Sequence, residues 1–182
     1  MDARHPALTI GNALTFARLV LLPVVLAGLV TNQGYLTVTA MAVAILTDLL
    51  DGRISRRLGQ ASSFGATLDS TVDFILIYCL FIAFYASGRL HTYRFAIIYL
   101  AMLTNLVLQL SSMTTQTPSV VRTRLGKFTG ALQYTYLIFL VLREVLPTTQ
   151  LVAAVNSGLF AILAVAIILS SISHLLMLRQ RT

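Results

Sequence analysis

The sequence is poor in the side chains that most often form disulfides, thiolate sites and histidine sites. Its 182 residues include one cysteine, three histidines and six acidic residues. The single cysteine, Cys79, lies within an apolar run. One cysteine cannot form a disulfide framework or a thiolate metal site within the chain. The histidines, at positions 5, 91 and 174, lie far along the chain from the acidic residues and are not expected to bind metal.

Charged residues are also scarce, at 10% of the chain against 57% hydrophobic residues, and the mean hydropathy is +0.85. Apolar runs of about eighteen residues or more indicate a membrane protein that crosses the bilayer several times. The net charge of +7 does not indicate nucleic-acid binding, because the basic residues lie mostly at the ends of apolar segments. An anionic lipid surface or a phosphate-bearing substrate suits them better.

The apolar segments predict an all-α integral membrane protein with six transmembrane helices in a single domain, residues 1–182. A mixed polar and apolar stretch over residues 6–16 predicts a short interfacial helix at the N-terminus. The predicted spans cover about residues 12–30, 35–51, 64–86, 94–113, 128–146 and 151–178. The N-terminal run has no obvious small-residue cleavage site, so it is expected to be a retained span.

Six spans place both termini on one side of the membrane, together with ten of the thirteen basic residues. The positive-inside rule then makes the termini and the loops at 52–63 and 114–127 cytoplasmic. The protein is expected in the cell membrane, with its active site facing the cytoplasm.

Four of the six acidic residues fall in one 26-residue window, as Asp48, Asp51, Asp69 and Asp73. Each carboxylate near lipid costs about 2.5–3.5 kcal/mol, so the cluster needs a stabilising partner. The spacings of three and four place each pair on one helix face, and the short connection makes the two helices antiparallel neighbours. The pairs should therefore face each other across a small gap. Oxygen ligands without His or Cys favour a hard cation such as Mg²⁺, Mn²⁺ or Ca²⁺.

The residues around the cluster resemble a known family signature. They read Asp48-x-x-Asp51-Gly52-x-x-Ser55-Arg56 and, after eight residues, Gly65-x-x-x-Asp69-x-x-x-Asp73. This pattern is similar to the signature of the CDP-alcohol phosphatidyltransferases, with Ser55 where members usually have alanine. The stretch from Asn12 to Arg18, with Pro23 following, is similar to the N-terminal Asn-x-Leu-Thr-x-x-Arg stretch of phosphatidylglycerophosphate synthases and their relatives.

The resemblance implies transfer of the phosphatidyl group of CDP-diacylglycerol to an alcohol, with release of CMP. It implies that Asp48, Asp51 and Asp69 hold two Mg²⁺ or Mn²⁺ ions, with Asp73 as a further metal ligand or as the catalytic base. The residues implied in nucleotide binding are Asp51, Gly52, Arg56, Gly65 and Asp69. The family also implies a homodimer.

The acceptor is the least specified part of the prediction. Arg122, Arg124 and Lys127, together with Arg18, are candidates to bind an anionic acceptor such as a phosphorylated alcohol. Residues 126–133 are similar to a Gly-Lys-x-Lys-Thr-x-x-Gln stretch of glycerophosphate-using members and to the corresponding stretch of eukaryotic-type cardiolipin synthases. Glycerol 3-phosphate is the first expectation, with inositol phosphate or phosphatidylglycerol as alternatives.

Two other classes of function fit parts of the pattern. An ion or metal transporter could use intramembrane carboxylates for coupling, but spans five and six are nearly uniform apolar runs without polar breaks. A membrane scaffold could pair the acids with Arg53, Arg56 and Arg57, but such pairing does not require two acidic pairs at helical spacing with matching glycines. The transferase is therefore the leading prediction.

Overall fold

The computed structural model describes residues 10–57, 63–114 and 124–179, and these ranges contain six helices. The helices are α1 (Ile10–Val30), α2 (Gly34–Arg57), α3 (Ser63–Ala86), α4 (Thr92–Thr114), α5 (Arg124–Leu142) and α6 (Gln150–Arg179). The described ranges contain no strand, which confirms the all-α prediction. The chain divides into two compact units, Met1–Ser87 and Gly88–Thr182. The single domain over residues 1–182 stays a prediction.

The helices follow the predicted spans, with two informative differences. The second span is predicted to end at Asp51, whereas α2 continues to Arg57 through the polar end of the signature. The fifth span is predicted at 128–146, but α5 begins at Arg124 and ends at Leu142. The extension of α2 to Arg57 and the start of α5 at Arg124 have one cause: a helix ends where its backbone hydrogen bonding ends, and charged side chains do not interrupt that bonding. The 143–146 segment, with two charged residues before a proline, leaves the helix instead.

Two helices contain stretches that are long and apolar enough to cross a membrane, Leu125–Leu142 and Gln150–Ser173. Shorter apolar stretches occur in the other four helices, at Thr15–Val30, Gly34–Leu50, Thr71–Ala86 and Thr92–Thr104. The six spans and the side of the termini therefore stay predictions. Residues 10–16, predicted as part of an interfacial helix, are the first turns of α1, and residues 6–9 lie outside the described part of the chain.

In the first unit, a tight turn joins α1 to α2. Asn32 adopts the left-handed conformation, with φ of 60°. The Gln33 backbone N–H donates to the Gly28 carbonyl at 2.8 Å and the Thr31 N–H donates to the Ala27 carbonyl at 2.9 Å. These bonds satisfy the last carbonyls of α1, which would otherwise lack partners. Asparagine suits the position because it tolerates a positive φ better than most residues.

The α1–α2 hairpin is closely packed just below this turn. A Cβ atom at Gly28 would lie 2.6 Å from the Thr37 hydroxyl oxygen and 2.9 Å from its backbone nitrogen. Thr37 is fully buried, so the two backbones approach closely only because residue 28 has no side chain. α1 packs against both α2 and α3. The core of this unit contains Val25, Leu29, Met41, Leu80, Phe81 and Phe84.

In the second unit, α6 packs against both α4 and α5. The Thr149 hydroxyl caps the start of α6 by accepting from the Val152 N–H at 3.3 Å. The Thr129 hydroxyl on α5 donates to the Ala166 carbonyl on α6 at 3.3 Å. The core of this unit contains Ile98, Met102, Tyr136, Leu137, Leu140 and Leu163.

The Gly28–Thr37 approach predicts opposite effects for two glycine substitutions. Gly28→Ala should lower the free energy of unfolding by about 1–3 kcal/mol, because the added methyl overlaps Thr37. Gly158→Ala in α6 is the matched control, since a Cβ there meets nothing within 4 Å and alanine favours a helix by up to about 1 kcal/mol. Thermal unfolding in detergent measures both. Equal midpoints for the two variants would contradict the close approach.

Candidate active site

A buried arginine on α1 lies between the two acidic helices. The Arg18 Nη1 atom contacts the Asp48 Oδ1 atom on α2 at 2.7 Å. The same nitrogen contacts the Asp73 Oδ1 atom on α3. The Arg18 side chain is only 2% exposed, whereas Asp48 and Asp73 are 34% and 42% exposed. One guanidinium nitrogen therefore joins carboxylates from two different helices.

The helix packing explains this arrangement. α1 packs against both α2 and α3, so a side chain on its shared face can reach both. Among the residues described on α1, Arg18 is the only charged one. A charge buried in a low-dielectric interior requires a partner of opposite sign. The sequence predicts that the two acidic pairs face each other across a gap, and the structure places the Arg18 guanidinium between Asp48 and Asp73.

The donor set of this site fits a divalent cation. Two carboxylate oxygens from different helices converge on one positively charged nitrogen, so their positions suit a shared cation. Carboxylate oxygens are the ligands that Mg²⁺ and Mn²⁺ prefer. Among the side chains that the structure describes, no group of three or more His, Cys, Asp or Glu residues forms a metal cluster. Of the four predicted metal ligands, Asp48 and Asp73 are the two whose side chains the structure describes.

The remaining signature residues are placed by their helices only. Asp51, Gly52 and Arg56 lie on α2, and Gly65 and Asp69 lie on α3. Their side chains lie outside the described part of the structure, so their roles stay predictions. Asp51 follows Asp48, and Asp69 precedes Asp73, by about one helical turn.

The structure describes the side chains of only two of the four predicted acceptor residues, Lys127 and Arg18. Arg122 lies outside the described residues, and Arg124 is the first residue of α5, with its side chain not described. Lys127 lies on α5 and is exposed. Arg18 is buried in the first unit against Asp48 and Asp73. Its acceptor role stays a prediction, and the ion pairs give it a second role as the positive charge of the acidic site.

Gln133 on α5, in the second unit, is a buried polar residue that the sequence pattern did not single out. Gln133 is 6% exposed, and its Nε2 donor has no hydrogen-bond partner among the described residues. Thr129, one turn earlier, is buried and bonded to α6, and a Cβ at Gly130 would meet nothing within 4 Å. A buried amide donor without a partner costs about 1–3 kcal/mol, which is a reason to expect a ligand group there. The signal in the sequence was the resemblance of residues 126–133 to glycerophosphate-using members.

A family model matches the region of the chain that contains this site. The model of the CDP-alcohol phosphatidyltransferases matches residues 8–177, nearly the whole chain. The chain therefore belongs to the CDP-alcohol phosphatidyltransferase family. Arg18, Asp48 and Asp73 all lie inside the matched region.

Several named proteins are similar to parts of the chain. A Drosophila melanogaster protein named probable cardiolipin synthase (CMP-forming) is 44% identical over 85 residues, which cover 45% of this chain and 26% of that protein. A Pseudomonas fluorescens CDP-diacylglycerol–glycerol-3-phosphate 3-phosphatidyltransferase is 37% identical over 73 residues, covering 38% of this chain and 37% of that protein. A Mycobacterium tuberculosis protein named probable phosphatidylglycerophosphate synthase is 36% identical over 74 residues, covering 37% of this chain and 35% of that protein. The matches thus span well under half of each relative's length.

The position of Arg18 predicts how a divalent ion affects stability. Arg18→Gln should lower the free energy of unfolding by about 1–3 kcal/mol in the presence of a chelator, because Asp48 and Asp73 lose a shared counter-charge. The value is below that of a fully buried pair because both carboxylates are partly exposed. Added Mg²⁺ should then raise the unfolding midpoint more in Arg18→Gln than in the wild type.

Arg18→Lys is the matched control, because it keeps the positive charge and should keep most of the chelator-state stability. If Mg²⁺ shifted the midpoints of the wild type and Arg18→Gln equally, the guanidinium and the metal would not share the Asp48–Asp73 site.

Proposed function

We propose that the protein transfers the phosphatidyl group of CDP-diacylglycerol to an alcohol and releases CMP. The observation that carries this proposal is the convergence of Asp48 and Asp73 on one cationic position, inside a chain that belongs to the phosphatidyltransferase family. The names of the relatives support it: one describes a phosphatidyltransferase that uses CDP-diacylglycerol and glycerol 3-phosphate, and the others describe a CMP-forming cardiolipin synthase and a phosphatidylglycerophosphate synthase.

The proposed reaction forms one bond and breaks one. The acceptor hydroxyl oxygen bonds to the phosphatidyl phosphorus, and the bond from that phosphorus to the bridging oxygen of the pyrophosphate breaks. CMP leaves with the electron pair of the broken bond. Asp73 accepts the hydroxyl proton as general base, a role that a carboxylate within hydrogen-bond reach can fill.

The donor-side residues have distinct proposed roles. Bound Mg²⁺ or Mn²⁺, held by Asp48, Asp51, Asp69 and Asp73, would offset the charges of the pyrophosphate and of the leaving CMP. Gly52 and Gly65 would let the nucleotide approach the backbones of α2 and α3. Arg56 would bind the donor phosphates.

Lipid is the proposed environment, because CDP-diacylglycerol carries acyl chains and α6 exposes many large apolar side chains. The exposed residues include Ile162, Val165, Ile168 and Leu169. Apolar patches of this kind mark a lipid or protein contact surface. We place the protein in the cell membrane with the signature facing the cytoplasm, as the distribution of basic residues predicts, and as a homodimer, as the family resemblance implies.

Glycerol 3-phosphate is the proposed acceptor. The Pseudomonas relative is named for glycerol 3-phosphate, and the start of α5 carries the basic residues that suit a phosphorylated alcohol. Lys127 is exposed at the start of this helix, and the Gln133 amide donor lies buried further along it. Lys127, Arg122 and Arg124 would hold the phosphate, and Gln133 would donate to a polar group of the acceptor.

Phosphatidylglycerol is the second candidate acceptor. The observation in its favour is the 44% identity to the Drosophila protein named for cardiolipin synthesis. Both acceptors use the same bond formation and the same release of CMP, so an acceptor panel separates them.

The first functional prediction concerns CMP. Membranes containing the protein should release CMP from CDP-diacylglycerol when given an acceptor and Mg²⁺ or Mn²⁺, and release should cease with a chelator. Asp73→Asn should reduce kcat by at least about a hundredfold, since it removes a general base. CMP release is measured by chromatography with glycerol 3-phosphate, inositol phosphate and phosphatidylglycerol in parallel.

The control for Asp73→Asn is donor binding, which should persist because the amide keeps the shape of the side chain. If no CMP is released with any acceptor or metal, the proposed transferase activity is refuted. If Asp73→Asn retains turnover, only the assignment of Asp73 as the base is refuted.

The second functional prediction separates binding from stability at Gln133. Gln133→Met keeps a similar volume and removes the unpartnered Nε2 donor, so the free energy of unfolding should rise by about 1–3 kcal/mol without substrate. The acceptor KM should rise and the donor KM should stay unchanged. An unchanged acceptor KM would show that Gln133 does not contact the acceptor.

A further inference from the structure

A cluster of polar side chains joins the three helices of the second unit. It consists of Arg94 on α4, Tyr136 on α5, Arg143 just after α5, and Asn156 and Ser157 on α6, and we call it the arginine cluster. Arg94 is 8% exposed. Its guanidinium donates to the Ser157 hydroxyl at 3.2 Å and to the Tyr136 hydroxyl at 3.4 Å.

Both arginines of the cluster converge on one amide oxygen. In the orientation that satisfies both groups of the Asn156 carboxamide, its oxygen accepts from Arg94 Nη1 at 2.9 Å and from Arg143 Nη1 at 3.1 Å. Its nitrogen donates to the Tyr136 hydroxyl at 3.2 Å. Two guanidinium nitrogens therefore lie around a single uncharged acceptor.

The cluster has a surplus of positive charge. Within the described part of the chain, no carboxylate lies within 4 Å of a guanidinium nitrogen of Arg94 or Arg143. The nearby Glu144 is paired with Arg89 at 3.3 Å. The ring of Phe160, 5.0 Å from the Arg94 guanidinium carbon, offsets only part of the charge. Two like charges at low exposure favour an added anion.

The cluster is open to its surroundings on one side. Ser157 is exposed, and Arg143 and Asn156 are half-buried. The cluster lies at the end of the unit where α4 begins, α5 ends and α6 begins. Arginine and tyrosine at the ends of apolar helices are typical of the level of lipid headgroups, where phosphates are abundant. An anion can therefore reach the half-buried Arg143 guanidinium and the exposed Ser157 hydroxyl.

We propose that the arginine cluster binds a phosphate group, as a phosphate ester of a lipid headgroup or as the free anion. Arg143 would donate charge-assisted hydrogen bonds to its oxygens, and the Ser157 hydroxyl would add a neutral one. The buried Arg94, which holds Ser157 and Asn156 in place, would attract the anion through its charge. None of these residues belongs to the phosphatidyltransferase signature, so this site is additional to the proposed reaction. It requires no chemical step.

The test measures anion binding to the full-length protein, delipidated in a neutral detergent. Phosphatidylglycerol, phosphatidylcholine and inorganic phosphate are titrated in separate arms, with binding followed by native mass spectrometry and thermal shift. Arg143→Gln should weaken phosphatidylglycerol binding at least about tenfold, because it removes one charged donor. Protection by inorganic phosphate with the same Arg143 dependence assigns a free anion, whereas protection by the lipid alone assigns a headgroup.

Asn156→Asp gives an independent test with a nearly isosteric side chain. It places a carboxylate where both guanidinium groups already converge, so the ligand-free protein should unfold at a higher temperature and phosphate binding should be lost. Arg179→Gln is the charge-matched control, since it also removes one unit of positive charge, lies at the end of α6 opposite to Asn156 and Ser157, and should leave binding unchanged. The proposal is overturned if Arg143→Gln and Arg179→Gln weaken binding equally, or if Arg143→Gln and Asn156→Asp both bind as the wild type does.

Discussion

The contact of Arg18 with Asp48 and Asp73 is the interaction on which the first unit depends. This contact contributes to both packing and electrostatics. Arg18 on α1 can be buried only where acidic side chains form ion pairs with it. The two carboxylates likewise come close together only because a positive charge lies between them. The association of α1 with α2 and α3 and the charge balance of the proposed catalytic site therefore depend on the same three side chains.

Much of this architecture could be predicted from the sequence. Apolar length placed all six helices, and helical spacing placed Asp48 and Asp73 on the helices where they lie. The ends of α2 and α5 were placed less well, because hydropathy reports where a chain can enter lipid and helix ends depend on the backbone. The family signature named the acidic residues, but it carried no information on which side chain packs among them.

The contacts that the sequence did not predict join distant parts of the chain. Arg18 is separated from Asp73 by 55 residues, and only the packing of α1 against two helices brings them together. The arginine cluster shows the same limitation, since Arg94 and Ser157 are 63 residues apart. The two units thus balance buried positive charge differently: the first with carboxylates, the second with hydroxyl groups, an amide and aromatic rings.

The close approach of Gly28 and Thr37 has a consequence for how the sequence can vary in length. This contact fixes the register of the α1–α2 hairpin, with Arg18 ten residues before Gly28 and Asp48 eleven residues after Thr37. Each residue inserted into a helix rotates the two flanking parts of that helix relative to each other by about 100° and separates them by about 1.5 Å. A single insertion between Arg18 and Gly28, or between Thr37 and Asp48, would turn one partner of the ion pair away from the other. The lengths of the segments 18–28 and 37–48 are therefore constrained by the ion pair. The turn around Asn32 lies outside both segments, so a change in its length leaves both segments as they are.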